Sequence, residues 1–357
     1  VRRSFNSTYE TLHFQADGSC SAKSHPPCVL ITVSSCPHPN KGVAFLSLPG
    51  CLILAVFVTA STGGNVFAAD WPMWRYDPAR TAVSPEGLPE HLALRWVRKY
   101  PVPDAAWDAQ KEVYCYGGEG NRVQQKMSFD IAYQPIVAGE TVIFGSPNSD
   151  RVTALDLATG AERWRFYADG PIRLAPAAAD GFVYFGSDDG CLYCLRVADG
   201  TLVGRMPLTF TNRKVLGNDR LISMWPVRGA PVIVEEVDRV VLYCGSGIYP
   251  FEGSAVWAFD ITDPSDITLR WRNSADYMDY RAQPHSGAEG YSGLAPQGYL
   301  CAAEGNRLLV PNGRARPACL DRTDGQLEYF RLERGFGGIA KGTGGYHVAA
   351  DGEVFYC

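Results

Sequence analysis

The sequence predicts an all-β protein built as a β-propeller, and two observations carry that prediction. A pattern of short apolar runs and glycine turns that starts at Gln134 starts again 41 positions later, at Ala175. A period of about 40 residues that holds four short strands is typical of one propeller blade. The chain of 357 residues also contains 37 Gly and 24 Pro and is 46% hydrophobic, which suits a large core joined by many tight turns.

The first copy of the pattern shows how one unit is interpreted. Residues 141–144 are β-branched or aromatic throughout, which favours a strand buried on both faces. Residues 147–150, Pro-Asn-Ser-Asp, have the composition of a hairpin turn. Gly160 suits a positive φ in a second turn, and Trp164 follows on the outer strand. An indole at that offset can pack between neighbouring blades while its N–H finds a backbone acceptor.

The string at 154–164, Ala-Leu-Asp-Leu-Ala-Thr-Gly-Ala-Glu-Arg-Trp, resembles the repeat of pyrroloquinoline-quinone-like (PQQ-like) propellers, A-L-D-x-x-T-G-x-x-x-W. The resemblance implies that the Trp docks adjacent blades against each other. Quinoprotein dehydrogenases share this repeat with non-enzymatic propellers such as an outer-membrane protein assembly lipoprotein, so the repeat identifies a fold and not a reaction. The blade-docking positions assigned in this way are Trp96, Trp164, Trp271, Gly160, Gly200 and Gly325.

Four units can be recognised, and the last two contain insertions. The third ends at Trp271, but the fourth has Tyr329 where a Trp is expected, and Gly204 replaces the Trp of the second unit. A fifth unit at 345–357 has room for a single predicted strand. Closing a ring of seven or eight blades needs roughly 300 residues of repeat, and residues 134–357 supply 224. We therefore predict four four-stranded blades in an incomplete, open ring, and a chain that is a fragment of a longer protein.

The N-terminal 40 residues lack a regular apolar pattern. They mix Ser, Pro, His and Cys, which predicts a disordered leader or an upstream extension of the reading frame. Cysteines at eight-residue intervals leave a metal or disulfide module as the other interpretation. The three are Cys20, Cys28 and Cys36.

Residues 41–69 have the pattern of a secretory signal peptide. Lys41 precedes an apolar run, and small residues follow it. The run is interrupted at Pro49 and is shorter than the ~20 residues of a membrane-spanning helix, so no permanent membrane span is predicted. Lipidation at Cys51 is an alternative. We expect the propeller at 70–357, exported to the periplasm or the cell surface.

The predicted propeller opens with the pattern W-P-x-W-R-x-D-x-x-R-T, which resembles the opening of PQQ-like propellers. Its marked positions are Trp71, Pro72, Trp74, Arg75, Asp77, Arg80 and Thr81. Residues 94–100 are predicted to form an outer strand without its own three inner strands. This is the usual device by which an N-terminus completes the last blade of a ring.

Function is expected in the insertions, because loops on one face of a rigid scaffold carry binding groups. The net charge of −5 gives no indication of nucleic-acid binding. Charged residues in the insertions predict a mixed-charge pocket for a small polyhydroxyl or anionic ligand, and solvated or structurally paired charges are the alternative. The ligand-binding candidates are Arg228, Glu252, Arg314, Arg316 and Lys341.

Catalysis is weakly supported by the sequence. The resemblance implies that a dehydrogenase would use a vicinal Cys-Cys disulfide, a Trp platform and carboxylate or amide ligands for calcium, and no two cysteines are adjacent here. Cys191 and Cys194 are predicted to point to opposite faces of a strand, unable to share a metal ion or a disulfide. Cys244 and Cys301 are predicted to pack as small hydrophobes.

We therefore predict a non-catalytic scaffold that binds a small ligand or a protein partner, with no cofactor and no metal. The alternative is a PQQ- and calcium-dependent dehydrogenase that oxidises alcohols or sugars.

Overall fold

The computed structural model describes residues 70–87, 91–103, 132–217, 220–248, 252–274, 292–312, 316–330 and 345–357, and the backbone of strands at 28–34, 44–48, 51–55 and 278–279. The elements in these ranges are β-strands. Within them no helix is long and apolar enough to cross a membrane. The predicted all-β class is confirmed.

Four strands precede the first blade. They are β1 (Cys28–Ser34), β2 (Ala44–Leu48), β3 (Cys51–Ala55) and β4 (Ala93–Tyr100). β2 and β3 form an antiparallel hairpin, and β4 pairs antiparallel with β1. The sequence predicts no strand at 28–34, whereas in the structure the strand at 28–34 pairs with the predicted outer strand. The leader at 1–40, the signal peptide at 41–69 and the start of the propeller at 70 stay predictions.

Blades 1 and 2 are regular four-stranded antiparallel sheets, and they correspond to the first two sequence units. Blade 1 consists of β5 (Ile136–Ala138), β6 (Thr141–Ser146), β7 (Arg151–Asp156) and β8 (Glu162–Tyr167). Blade 2 consists of β9 (Ala177–Ala179), β10 (Phe182–Gly186), β11 (Cys191–Arg196) and β12 (Leu202–Pro207). The second strand of blade 1 is buried along its whole length, as its β-branched and aromatic residues predicted.

A hairpin that the sequence analysis did not predict separates blades 2 and 3. It consists of β13 (Lys214–Gly217) and β14 (Arg220–Ser223). Blade 3 consists of β15 (Gly229–Glu235), β16 (Val240–Ser246), β17 (Ala255–Asp260) and β18 (Thr268–Asn273). The short strands β19 (Met278–Asp279) and β20 (Ser292–Gly293) pair with each other, and β21 (Gly298–Tyr299) adds to β15 in parallel.

Blade 4 and a final hairpin complete the described chain. Blade 4 consists of β22 (Cys301–Ala303), β23 (Arg307–Val310), β24 (Ala318–Asp321) and β25 (Leu327–Tyr329). The hairpin consists of β26 (Ala349–Asp351) and β27 (Val354–Tyr356). The fifth unit thus forms two paired strands, so the predicted single strand was wrong.

The blades follow each other around an axis. Their innermost strands contact one another in chain order, β5 to β9, β15, β22 and β26. In the described part of the chain β26 pairs only with β27, and no sheet joins it back to blade 1. The predicted open, incomplete ring of four blades is confirmed.

Three indoles make the same kind of contact; two of them connect neighbouring blades, and Trp96 connects β4 to blade 1. Trp96 packs on Gly160 of blade 1, Trp164 on Gly200 of blade 2, and Trp271 on Gly325 of blade 4. Each indole N–H also donates to a carbonyl of the turn that it covers. These acceptors are Leu157, Val197 and Arg322, at 3.1, 2.7 and 2.9 Å. This is the arrangement that the docking interpretation requires.

The joint between blades 2 and 3 is built differently. Gly204 stands at the Trp position of blade 2, and the Cδ1 atom of Ile267 in blade 3 lies 3.6 Å from the place of its missing Cβ. Blade 3 also lacks the Thr-Gly turn that receives an indole, having Asp260-Ile261-Thr262-Asp263 there. The loss of the indole and the loss of its receiving turn therefore compensate each other at one joint.

Gly200→Ala is expected to destabilise the fold by about 2–4 kcal/mol. A Cβ at Gly200 would lie 2.7 Å from the indole of Trp164, which adds overpacking to the cost of its φ of +72°. Gly181→Ala is the matched control, because Gly181 has a φ of +81° but open space around its missing Cβ. Denaturant unfolding should give a larger loss for Gly200→Ala, and equal losses would contradict the tight contact.

Four cysteines with sequence predictions are buried free thiols: Cys191, Cys194, Cys244 and Cys301. Burial raises the pKa of Cys194 to about 11 and that of Cys301 to about 12. These thiols are therefore protonated at neutral pH and pack as small apolar groups.

Candidate functional site

The segment at 71–81, which we call the axial segment, runs along the inner strands of the arc. It pairs with blade 1 through two bonds of 2.9 Å between Trp71 and Val137. Three further backbone bonds of 2.8 to 2.9 Å reach other inner strands. They join Ala178 N–H to the Pro72 carbonyl, Ala302 N–H to the Pro78 carbonyl and Ala350 N–H to the Ala79 carbonyl. One segment thus joins the inner strands of blades 1, 2 and 4 and the final hairpin.

Arg80 anchors the end of the axial segment. It is 0% exposed, and its guanidinium donates to the carbonyls of Leu300, Trp74 and Pro231 at 2.9, 2.8 and 3.1 Å. Burial lowers its pKa to about 10, so the group stays protonated at neutral pH. Its φ of +63° is a costly backbone conformation for a residue other than glycine. We infer that the three hydrogen bonds offset that cost.

An open cavity of about 770 Å³ lies beside the axial segment, between it and the final hairpin. Trp74 and His347 line this cavity and belong to a stack of three nearly parallel rings, of which the third, Tyr299, is buried. Trp74 stacks on Tyr299 at 4.0 Å and on His347 at 5.0 Å, and the Arg75 guanidinium lies 5.5 Å from the Trp74 ring centre. Burial lowers the pKa of His347, and the Arg75 charge lowers it further, so this imidazole is neutral at pH 7.

The lining of this cavity does not fit a calcium-bound quinone. Calcium takes six to eight oxygen ligands, several of them carboxylates. The described lining includes two carboxylates, Asp77 and Asp351, and Asp77 accepts bonds from the Thr81 hydroxyl and backbone N–H. The Trp74 ring packs against Tyr299 and His347 of the chain itself.

A second cluster of charges is buried between the loop after blade 1, the β10–β11 turn of blade 2 and the loop after hairpin β13–β14. The Asp188 carboxylate accepts bonds of 2.7 Å from Arg173 Nε and 2.8 and 2.7 Å from Arg228 Nε and Nη2. All three side chains are at most 5% exposed. Burial alone would raise the pKa of Asp188, but Arg228 and Arg173 outweigh it and hold the pKa below its usual value. The cluster is therefore an ionised, satisfied structural connection between three loops.

Hairpin β13–β14 is attached to the same face by Arg220. Its guanidinium donates to the carbonyls of Pro147 and Asn148 at 3.0 and 2.7 Å and binds the Asp150 carboxylate. Burial raises the pKa of Asp150 even though the Arg220 charge opposes the shift. The other end of the hairpin is held by a bond of 2.8 Å from Ser223 N–H to the Asp188 carbonyl.

The structure brings two of the five sequence-predicted ligand residues to one face. The Glu252 carboxylate accepts a bond of 2.7 Å from Arg213. The backbone carbonyl of Glu252 accepts a bond of 2.9 Å from the indole N–H of Trp225, which is three residues before Arg228 in the chain. A ligand would have to displace Asp188 to reach the Arg228 guanidinium. Arg316 is half-buried on the β23–β24 loop. Burial raises the pKa of the Cys357 thiol, and the positive charge of Arg316 opposes that shift. Arg314 and Lys341 lie outside the described residues.

Two sets of contacts were not predicted from the sequence: the ion pairs of Asp188 with Arg173 and Arg228, and the hydrogen bonds of Arg80 to backbone carbonyls. Asp188 lies in the second repeat, in the turn that corresponds to 147–150, and its composition indicates only a turn; blade 1 has Pro147 at the position of Asp188. That departure from the repeat was the available indication. The opening pattern includes Arg80, but nothing in a single sequence shows that two of its three acceptors are carbonyls more than 150 residues away.

Asp188→Asn is expected to lower the free energy of unfolding by about 3 kcal/mol, because it leaves two buried arginines without a counter-charge. Since the folded pKa is lowered, the stabilisation is complete above the unfolded pKa of about 4 and is lost as pH falls through the folded value. The difference between wild type and variant should stay constant from pH 7 to about 4 and shrink below it.

Asp169→Asn provides the control, since Asp169 is 67% exposed in its ion pair with Arg205. That change should cost less than about 1 kcal/mol. A shrinking difference well above pH 4 would contradict the lowered pKa of Asp188.

A family model described as outer membrane protein assembly factor BamB matches residues 105–271. Comparison with the curated proteins gives no significant match. The matched range contains blades 1 and 2 and blade 3 through Trp271, so it coincides with the units that carry the PQQ-like pattern. The predicted resemblance to PQQ-like repeat propellers is confirmed for this range.

The solved structures that match the chain include BamB and two quinohemoprotein alcohol dehydrogenases. BamB from Moraxella catarrhalis is 17% identical with a TM-score of 0.41, and the match covers 68% of this chain and 56% of that one. Quinohemoprotein alcohol dehydrogenase from Comamonas testosteroni is 17% identical with a TM-score of 0.46, and the match covers 73% of this chain and 40% of that one. Quinohemoprotein alcohol dehydrogenase ADHIIG from Pseudomonas putida HK5 is 15% identical with a TM-score of 0.40, and the match covers 55% of this chain and 33% of that one. The chain thus spans less than two thirds of each of these proteins.

Proposed function

We propose that this chain, a β-propeller built from PQQ-like repeats, works as a non-catalytic scaffold that holds a partner protein in an exported compartment. The observation that supports this proposal is the axial segment. Arg80 and its neighbours use the inner strands of the arc for contacts within the chain. The predicted signal peptide at 41–69 supports export.

A protein partner fits the described surface better than a small anion does. Among the charged candidates on the β13–β14 face, Arg228 is bound to Asp188 and Glu252 to Arg213. Their polar atoms are therefore engaged before any ligand arrives. The family model that matches 105–271 is described as an outer membrane protein assembly factor, and a role in holding other proteins is carried over here as part of the proposal.

Reconstitution with PQQ and calcium tests the proposal against the alternative of a dehydrogenase. The full chain would be incubated with both, and dye-linked oxidation of alcohols and sugars would be measured beside a known quinoprotein. We expect no quinone-dependent dye reduction and no rise in the thermal midpoint. A dehydrogenase would be stabilised by its cofactor, by about 2.7 kcal/mol at a concentration of 100 times Kd. Quinone-dependent oxidation would overturn the scaffold proposal.

A further inference from the structure

The outward face of hairpin β13–β14 carries an apolar pair in an unusual place. Leu216 lies directly opposite Leu221 in the register, and the two are 80% and 63% exposed. Alternate residues of a strand point to opposite faces, so the neighbouring pair, Val215 and Ile222, faces the body. Ile222 is 3% exposed. Both faces of this hairpin are thus apolar, although one of them is exposed to solvent.

The hairpin is held in place. Arg220 fixes one end to the β6–β7 turn of blade 1 through three acceptors. Ser223 N–H binds the Asp188 carbonyl, and Met224 N–H binds the Arg213 carbonyl at 3.0 Å. Bonds at both ends keep the two leucines projecting, so they cannot fold back to bury themselves. A fixed apolar pair loses little conformational freedom when a partner covers it.

The charges beside the leucines indicate the chemistry of the partner. Lys214 is two positions before Leu216 on β13, on the same outward face, and is exposed. In the part of the chain that the structure describes, it has no ion-pair partner. Arg213, next to it, has a side chain 56% exposed even though it binds Glu252. The apolar pair is therefore flanked by positive charge, which complements an acidic border on a partner.

We propose that the Leu216–Leu221 pair, flanked by Lys214, is the docking point for a partner protein whose surface presents apolar side chains bordered by carboxylates. This inference rests on the proposed scaffold function and locates its contact surface. Apolar contact provides the affinity, and Lys214 orients the partner through its acidic border.

Selection from a library of random 12-residue peptides displayed on phage tests this inference. The full chain would be immobilised as wild type, as Leu216→Ser/Leu221→Ser, and as the control Leu202→Ser/Leu269→Ser. The control removes two other leucines, 45% and 52% exposed on the outer strands of blades 2 and 3. We expect wild type and control to select peptides with apolar residues next to Asp or Glu, and the hairpin variant to lose them.

The dissociation constant of one selected peptide then tests the apolar contact and the role of Lys214 separately. Kd should rise at least about tenfold in Leu216→Ser/Leu221→Ser, as for truncation of a binding hot spot. It should also rise in Lys214→Glu and with added salt. Equal binding by the hairpin variant, no selected peptide, or a preference for basic peptides would overturn the inference.

Two other occupants of the face are tested with the same variants. Leucine-dependent dimerisation in sedimentation would assign the face to a second copy, and leucine-dependent binding to vesicles of anionic phospholipid would assign it to a membrane surface. Either result would overturn the proposal. Quinone-dependent oxidation would refute the scaffold function even if the peptides bind, so failure of one proposal can be distinguished from failure of the other.

Discussion

Replacement of Arg80 by methionine is expected to lower the free energy of unfolding by about 3–5 kcal/mol, the largest loss from any single change in the axial segment. Methionine fills much of the volume but donates no hydrogen bond. The carbonyls of Leu300, Trp74 and Pro231 would then lose the donor that Arg80 provides inside the fold. Chemical denaturation followed by intrinsic tryptophan fluorescence measures the loss.

Arg75→Met is the matched control, because Arg75 belongs to the same segment but is exposed and stacks only on Trp74. We expect that change to cost less than about 0.5 kcal/mol. Arg80→Lys should fall between the two, since an ammonium group keeps the charge but not the planar arrangement of donors. A loss below about 1 kcal/mol in Arg80→Met would show that the axial segment does not hold the inner strands together.

Trp164→Ala is expected to cost about 3–5 kcal/mol. The indole is 8% exposed, packs on Gly200 and donates to the Val197 carbonyl at 2.7 Å. Its removal opens a cavity between blades 1 and 2 and leaves that carbonyl without the indole donor. The expected result is an earlier unfolding midpoint in urea with a similar slope.

Tyr329→Ala tests whether the loss depends on docking and not on the position within a blade. Tyr329 occupies the place of Trp164 in blade 4 but is 40% exposed. Its replacement should cost less than about 1 kcal/mol. Similar losses for the two variants would mean that the outer strand, and not the joint between blades, accounts for the effect.

The outer strands show how far local sequence determines this fold. Between the third and fourth strands of every blade the register shifts by one residue, after Ala154, Cys194, Ala258 and Cys319. In blade 1 the shift leaves Arg163 as the extra residue, with Trp164 opposite Ala154. A bulge of this kind redirects a side chain. The sequence repeats the Trp, but only the paired strands show which face it reaches.

The charged residues show what the local sequence does not determine. The sequence predicts Arg228 as a ligand-binding residue because it is a cation in an insertion, yet it is 4% exposed and binds Asp188. Position in a loop does not determine burial, because the loop that carries Arg228 packs on the β10–β11 turn of blade 2. Asp188 and Arg228 are 40 residues apart, and no local pattern links them.

By itself, the sequence determined the repeat, the four-stranded units and the open arc. Those features follow from the alternation of apolar runs with turn residues, which is local information and recurs after 41 residues in the first two units, at Gln134 and Ala175. Tertiary structure alone decided the path of the axial segment, the acceptors of Arg80 and the exposure of Leu216 and Leu221. Each of these depends on contacts between segments distant in the chain, and the free energy of such contacts is set by packing and burial after the blades have assembled.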